Sequence, residues 1–262
     1  MEASAAALRR PYAALAALLN CSAGEIAVVS SATAAWQQVT YGLAWRWRKR
    51  DRVIAGSSGE YGSNAIALLQ LAQRTGAVLE VAPETAEGDV DVAALARMLA
   101  APPRPVLVSL SHVPTSSGRV YDAAAVGAAC RAAGVPFLLD ACQSVGQLPV
   151  DVQAIGCDFL CGTGRKYLRA PRGSGFLYAR RRALRGLQVA WGSRGRRQAT
   201  LVHRCAGATL HLTARSPGPR WPPACLSLQR VAGPAGAGGA GQCGCTLGGG
   251  RPLRARPRRR PL

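Results

Sequence analysis

Short apolar segments alternate with helical patterns along residues 1–180, and this alternation constrains the fold more than any other feature of the chain. The apolar segments predict strands at Ile26–Val29, Val53–Ala55, Ala77–Val81, Val106–Leu110, Val135–Leu139, Phe159–Cys161 and Gly175–Tyr178. The patterns between them predict helices over Pro11–Leu19, Ala34–Ala44, Ala65–Arg74, Val92–Leu99 and Ala123–Ala132, the second of which is capped by Ser31 or Thr33. Strands that are apolar throughout are typical of an α/β fold with a mostly parallel sheet covered by helices on both faces.

Such sheets bind ligands at the carboxyl ends of their strands. The loops of interest therefore follow Val29, Gly56, Leu110, Leu139 and Cys161, and these loops contain the unusual polar residues.

Charge is distributed unevenly along the chain. Residues 1–158 contain 12 Lys and Arg against 13 Asp and Glu, whereas residues 159–262 contain 21 Lys and Arg and no acid. From about Ala183 onward the composition is dominated by Arg, Gly, Ala, Pro and Cys, without a sustained helix or strand period. We favour the interpretation that this part is a disordered product of a shifted reading frame. An arginine-rich tail that binds nucleic acid is the other interpretation.

The cysteines and the hydropathy favour a cytoplasmic protein without a metal centre. Cys21, Cys130 and Cys157 lie within or beside apolar segments, which indicates free thiols in a reducing compartment. The pair Cys243 and Cys245 has no matching second pair, so we predict no metal site. No apolar stretch is long enough to cross a membrane, and residues 1–10 lack the apolar core of a signal peptide.

Two residues indicate a specific chemistry. Lys166 is one of only two lysines and follows the turn residues Thr163 and Gly164, while Asp140 ends the apolar segment of the fifth predicted strand. A lysine can form a Schiff base with an aldehyde, and a carboxylate can keep a pyridine nitrogen protonated, so this layout predicts a pyridoxal-phosphate (PLP) site. The alternatives are a solvated surface lysine, as Lys49 is expected to be, and an aspartate that caps the next turn.

Five short segments, taken together in their order and spacing, resemble one family. They are Ser31–Trp36, Glu60–Asn64, His112–Thr115, Asp140–Gln143 and Thr163–Lys166. With them, residues 12–180 resemble the large domain of a PLP-dependent class V aminotransferase of fold type I, a group that includes cysteine desulfurases, isopenicillin-epimerase-like proteins and C–S lyases. Arg165 stands where the family usually has histidine, a version that resembles a subgroup that cleaves C–S bonds.

The resemblance implies roles around the cofactor ring. Lys166 would form the aldimine, Asp140 would pair with the ring nitrogen, and Tyr61 would stack on the ring face. Gln143 and Thr115 would lie beside the ring oxygen.

The residues themselves predict a phosphate site and a structural histidine, and the resemblance adds Thr163 to the phosphate site. Ala32 and Thr33 lie at a helix N-terminus, where free N–H groups favour an anion, and Thr163 adds a hydroxyl. His112 is expected to be structural, because Lys166 can transfer the proton once substrate displaces it.

The resemblance ends near residues 180–185, where relatives continue into a smaller domain with an arginine for the substrate carboxylate. We therefore predict a PLP-binding large domain, short at its N-terminus, over residues 1–182 and a low-complexity tail over residues 183–262. Relatives are usually dimers, so a homodimer is expected where the fold is complete.

The predicted function is a PLP-dependent enzyme that acts on an amino acid or a C–S-bonded derivative through a Lys166 aldimine. The reaction is of the transaminase or the C–S lyase and desulfurase type. The alternative is a catalytically inactive, truncated or frameshifted family member, and the nucleic-acid binder ranks third.

Overall fold

The computed structural model describes residues 2–186. Within this range the helices are α1 Glu2–Leu19, α2 Ala32–Ala44, α3 Gly62–Thr75, α4 Val92–Ala100, α5 Ala123–Ala133 and α6 Val152–Ile155. The strands are β1 Ile26–Val29, β2 Arg52–Ala55, β3 Val78–Val81, β4 Leu107–Ser111, β5 Phe137–Asp140, β6 Phe159–Thr163 and β7 Gly175–Ala179. The predicted tail lies almost entirely outside the described residues.

The described strands form one seven-stranded sheet in the order β1-β7-β6-β5-β4-β2-β3. The neighbours from β3 through β2, β4 and β5 to β6 are parallel, while β7 runs antiparallel to both β6 and β1. The prediction of a mostly parallel sheet is therefore confirmed. The antiparallel β7 follows β6 through the segment that contains Lys166.

Both faces of the sheet are covered because successive strand residues point to opposite sides. In β5, Phe137 and Leu139 pack into one core with α1, α4 and α5, whereas Leu138 packs into a second core with α2 and α3. All three of these β5 side chains are fully buried, as expected for a strand between two layers of helices. The prediction of helices on both faces is confirmed.

Two helices differ from the predicted ones. α1 starts at Glu2 rather than at Pro11, and Pro11 lies inside the helix, because the alanine-rich segment before it favours helix strongly enough to extend it. α6 was not predicted. It is one turn long, begins where Asp151 accepts hydrogen bonds from the Gln153 and Ala154 N–H groups, and ends at Gly156 with φ 74°.

Four strands, β4 to β7, run further than predicted, and in β4, β5 and β6 this brings polar residues to their carboxyl ends. β5 ends at Asp140 and β6 ends at Thr163, and each of these is the last residue to pair with a neighbouring strand. The same edge of the sheet carries the end of β4 at Ser111. The loops with polar residues therefore lie together at the carboxyl ends of the strands, as the predicted parallel sheet implies.

Candidate active site

A cavity of about 190 Å³ opens at the carboxyl edge of the sheet. Its wall contains all eight residues that the sequence predicted for the site: Ala32, Thr33, Tyr61, Thr115, Asp140, Gln143, Thr163 and Lys166. They come from α2, the loop before α3, and the loops after β4, β5 and β6. The wall also includes Glu60, Ser111 and Arg165, which were not among the predicted site residues.

Asp140 is buried at the end of β5, with 7% of its surface exposed. Its Oδ1 accepts a hydrogen bond from the Cys142 N–H at 3.0 Å, and its Oδ2 accepts one from Asn64 Nδ2 at 2.9 Å. The bond from Cys142 is the local turn bond expected of a strand-end aspartate, and the bond from Asn64 comes from another element, α3. Two donors therefore hold the carboxylate in one orientation, and each oxygen keeps a lone pair for a ligand.

Lys166 lies in the turn that follows β6. The turn is closed by the Arg169 N–H, which donates to the Lys166 carbonyl at 3.0 Å, and by the Ala170 N–H, which donates to the Gly164 carbonyl at 2.8 Å. Lys166 Nζ lies 6.0 Å from the centroid of the Tyr61 ring. The amine and the aromatic face thus border the same space, within the range of a cation–π contact.

The first turn of α2 provides an anion-binding end to the cavity. Ser31 is the N-cap, since its Oγ accepts from the Ala34 N–H at 3.1 Å. The N–H groups of Ala32 and Thr33 belong to the first turn, which leaves them without intrahelical acceptors. Arg165 also lines the cavity, so a guanidinium is available to an anion there.

Thr163 and Gln143 are already hydrogen-bonded. Thr163 Oγ1 donates to the Ser174 carbonyl at 3.2 Å, so its hydroxyl must rotate before it can donate to an anion. Gln143 Nε2 donates to Thr115 Oγ1 at 3.0 Å. Because Thr115 accepts in this bond, its own hydrogen can be donated to an oxygen in the cavity.

His112 is buried at the end of β4 and is not part of the cavity wall. Its Nδ1 lies 2.9 Å from Ser144 Oγ, which in turn donates to the Ala141 carbonyl. Burial lowers the pKa of the imidazole, against a smaller opposing effect of the Asp122 charge. These contacts agree with the structural role predicted for this histidine.

Sequence reasoning missed the residues that surround Asp140 from behind. Glu60 and Asn64 form hydrogen bonds with each other and with residues of β4 and β5, and burial raises the pKa of the Glu60 carboxyl. In the sequence, an acidic residue next to a tyrosine in a loop, such as Glu60, indicates a solvent-exposed side chain. Two signals in the sequence pointed to them: Glu60–Asn64 is one of the five segments that resemble the family, and the two residues stand at positions i and i+4, the spacing that places two side chains on one face of a helical turn.

Two features are absent from residues 2–186, the part of the chain that the structure describes. None of their helices is long and apolar enough to cross a membrane. No group of three or more His, Cys, Asp or Glu side chains among them is arranged to hold a metal ion.

Comparison with known proteins identifies relatives over most of the described residues. Cysteine desulfurase IscS of Shewanella oneidensis is 33% identical over 168 residues, which cover 64% of this chain and 41% of that protein. The solved structure of cysteine desulfurase CsdA from Escherichia coli is 27% identical with a TM-score of 0.62, over 67% of this chain and 44% of that one. A mutant of C-DES, with glycine covalently linked to its PLP cofactor, is also 27% identical with a TM-score of 0.62, over 69% of this chain and 47% of that one.

The chain therefore spans less than half the length of these relatives. The family model described as Aminotransferase class-V matches residues 3–211, which is most of the chain and includes every strand of the sheet and every predicted site residue. On this evidence the chain belongs to the class-V aminotransferase family.

Proposed function

We propose that this chain binds PLP and uses it to act on an amino acid or a C–S-bonded amino-acid derivative. The observation that carries the proposal is the placement of the Lys166 amine and the Asp140 carboxylate in the wall of one cavity. Relatives named as cysteine desulfurases support a reaction at a C–S bond, of the lyase or desulfurase type, ahead of transamination.

The residues present fit the chemical groups of PLP. The cofactor has an aldehyde, a pyridine nitrogen, a ring oxygen and a phosphate, and the wall contains an amine, a buried carboxylate, hydroxyl donors and a helix N-terminus for them. The phosphate end also depends on Gly175, where a Cβ would lie 2.4 Å from the Ser31 backbone carbon and 2.8 Å from the Ala32 nitrogen. The start of α2 can approach β7 this closely only because Gly175 has no side chain.

Each holding residue has a defined task. Lys166 attaches covalently to the aldehyde carbon, and Asp140 accepts a hydrogen bond from the pyridine nitrogen. Thr115 donates to the ring oxygen, with Gln143 holding its hydroxyl in place. The N–H groups of Ala32 and Thr33 bind the phosphate, with Arg165 adding positive charge.

When bound, PLP supplies an electron-accepting ring that withdraws the electrons of a bond broken at the substrate α-carbon. Asp140 strengthens this withdrawal by keeping a proton on the ring nitrogen, because a buried carboxylate stabilises an adjacent positive charge. Tyr61 covers one face of the ring and fixes its plane. The Lys166 amine lines the same cavity, so with its amine free it would be able to take the proton from the substrate α-carbon.

The first experiment tests covalent attachment with the two lysines of the chain. The purified full-length protein mixed with PLP is expected to gain an absorbance band that borohydride abolishes, and mass spectrometry is expected to find the reduced adduct on Lys166. Lys166→Ala should lose both signals. Lys49→Ala is the matched control, since it removes the other, exposed lysine and should keep them. Equal signals in wild type and Lys166→Ala would refute the assignment.

A second measurement separates binding from turnover. Wild-type protein loaded with PLP is expected to release sulfide from cysteine, and Asp140→Asn should reduce the rate by roughly 10²-fold or more, because the ring loses its charged partner. A reducible link without sulfide release or transamination would favour the inactive family member instead.

A further inference from the structure

Glu60 directs its carboxylate into the protein behind the cofactor site. Its Oε1 accepts hydrogen bonds from Ser111 Oγ at 2.7 Å and from the Tyr61 N–H at 3.0 Å. Its Oε2 lies 3.1 Å from Ser109 Oγ, which also accepts from Trp36 Nε1 at 3.3 Å. Although Glu60 as a residue is only partly buried, its carboxyl group is thus surrounded by protein donors.

Asn64 connects this carboxyl group to Asp140. Its Nδ2 carries two hydrogens, and the two acceptors within reach are Asp140 Oδ2 at 2.9 Å and Glu60 Oε1 at 3.3 Å. Asn64 is itself 1% exposed, so no water competes for these bonds. One amide group therefore bridges two acidic side chains from the loop before α3 and from the end of β5.

Two buried acids joined in this way do not both carry a charge at low cost. Burial raises the pKa of Glu60 first of all, and the nearby charge of Asp140 raises it further, while the hydrogen bonds lower it. The ionisable groups that share its surroundings are the buried thiol of Cys161, whose pKa is also raised mainly by burial, and the side chains of Tyr61, Cys142, Arg165 and Lys166, which line the same cavity. The favourable arrangement places the proton on Glu60 Oε2 and the charge on Asp140, with the Ser109 hydroxyl, which otherwise donates to Oε2, rotated to accept from it.

We propose that Glu60, acting through Asn64, is a positioning residue that holds the Asp140 carboxylate in line with the pyridine nitrogen of the cofactor. This inference rests on the proposed function. Glu60 does not touch the cofactor in this role. Its carboxyl group is protonated and uncharged, and it accepts one hydrogen bond from the Asn64 amide. The second amide hydrogen of Asn64 is donated to Asp140 Oδ2. The negative charge therefore stays on the Asp140 carboxylate, which faces the ring.

The decisive variants preserve shape and change one hydrogen-bonding group at a time. Glu60→Gln imitates the protonated acid, because its amide can still donate to Ser109 and accept from Asn64. Glu60→Leu removes all of these bonds. Asn64→Asp keeps the shape of the side chain but cannot donate to both acids. Glu84→Gln is the matched control, since Glu84 is an exposed acid that accepts from Ser58 and lies outside the cavity wall.

The first readout is the equilibrium dissociation constant of PLP, measured by titrating the full-length apo-protein. Glu60→Gln and Glu84→Gln are expected to bind within about threefold of wild type, while Glu60→Leu and Asn64→Asp bind roughly 10- to 100-fold more weakly. The second readout is the pH midpoint of the bound cofactor's absorbance band. It should move to higher pH in Asn64→Asp and Glu60→Leu, because a ring that carries less positive charge holds the proton of the lysine link more tightly.

A third readout needs no cofactor. The infrared difference spectrum of apo wild type against Glu60→Gln should contain the C=O band of a protonated carboxyl group at neutral pH. Thermal unfolding of each apo variant checks its fold, and if Glu60→Leu fails to fold, the isosteric Asn64→Asp still decides the question.

The outcomes distinguish a failure of the proposed PLP binding from a failure of the positioning role of Glu60. No binding of PLP by the wild type would overturn the proposed function and this inference together. Wild-type binding that is matched by Asn64→Asp, with an unchanged pH midpoint, would overturn only the inference. Binding by Glu60→Gln as weak as that of Glu60→Leu, or an infrared spectrum without the protonated band, would also overturn it.

Discussion

His112 and Asp140 lie at the ends of neighbouring strands, and their backbones are linked by the His112 N–H, which donates to the Asp140 carbonyl at 2.9 Å. Their side chains have different environments. Asp140 borders the cavity, whereas His112 packs away from it against Ser144. Of two polar residues at the ends of neighbouring strands, one therefore lines the cavity and the other is packed into the protein interior.

The buried imidazole of His112 makes stability depend on pH. Its pKa is lowered from 6.5 by burial, so below about pH 6.5 the unfolded chain binds a proton that the folded chain does not. The stabilisation by neutral His112 is complete above that pH and is lost as the pH falls through the folded-state value. We expect the free energy of unfolding of wild type to fall relative to His112→Gln by at most about 1.4 kcal/mol per pH unit.

Denaturant unfolding of the two proteins between pH 7.5 and 5.5 measures this difference. If the free energy of unfolding changed with pH by the same amount in wild type and His112→Gln, the pH dependence could not come from the buried imidazole of His112.

A site residue could be predicted from the sequence when its signal lies in neighbouring positions of the chain. Asp140 stood out as a polar residue at the end of an apolar strand, and Lys166 as one of only two lysines, in a turn shortly after another strand, so both signals lie in a few consecutive positions. Glu60 and Asn64 were missed because what makes them special is their contact with Ser111 and Asp140, residues 51 and 76 positions away. Only the folded sheet brings these positions together.

At the scale of elements, the anion-binding end of the cavity depends on how closely β7 approaches the start of α2. Gly175, the first residue of β7, pairs with both Val29 of β1 and Thr163 of β6. It therefore touches three parts of the phosphate site at once: the end of β1 before Ser31, the first turn of α2, and the strand that ends at Thr163.

Gly175→Ala is expected to force α2 away from β7, because the new Cβ would lie within 3.0 Å of three backbone atoms of Ser31 and Ala32. Overpacking of this kind costs about 1–3 kcal/mol of folding free energy, and PLP affinity should fall as well, since the N–H groups of α2 are displaced. Gly24→Ala is the control, as its Cβ would meet only an arginine side chain at an ordinary 3.5 Å. Urea unfolding and PLP titration of both variants measure the two effects. Wild-type stability and affinity in Gly175→Ala would show that α2 can shift without consequence.

The predicted elements were right where local pattern and tertiary packing agree. All seven predicted strands exist within the described residues; the five central ones are apolar runs that the two helical layers bury, while the edge strands β1 and β3 are partly exposed. The single-turn helix α6 was missed because four residues are too few for a periodic pattern, and its formation depends on the Asp151 cap and on close packing against α5. A Cβ at Gly127 of α5 would lie 1.9 Å from the Ile155 carbonyl oxygen.

At the scale of the molecule, large apolar side chains remain exposed on the α2–α3 side of the sheet. They occur as Tyr41 of α2 and Trp45, the residue that caps the end of α2 four positions later, and as Ile66 and Leu69, three residues apart on α3. Each pair therefore shares a helix face. We propose that a second copy of the chain covers these side chains, in line with the homodimer that the family resemblance implies.

A charge on this surface should prevent association. Analytical ultracentrifugation is expected to give wild type a mass of about twice 27.3 kDa, whereas Leu69→Glu should shift towards the single chain, with its dimer dissociation constant raised by at least about tenfold. Leu18→Glu is the matched control, because Leu18 is an exposed leucine on α1, which covers the opposite face of the sheet. A monomeric wild type, or equal masses for the two variants, would contradict the proposal.

The pairing of β1 with β7 has a consequence for synthesis on the ribosome. β1 is the first strand of the chain and β7 the last of the described ones, yet they are neighbours with Val29 opposite Gly175. Because β1 is an edge strand whose only partner among the described strands is β7, it has no strand partner until some 150 later residues have been translated. If the proposed function holds, we therefore expect the cofactor site at the start of α2 to form only after β7 has been translated and has paired with β1.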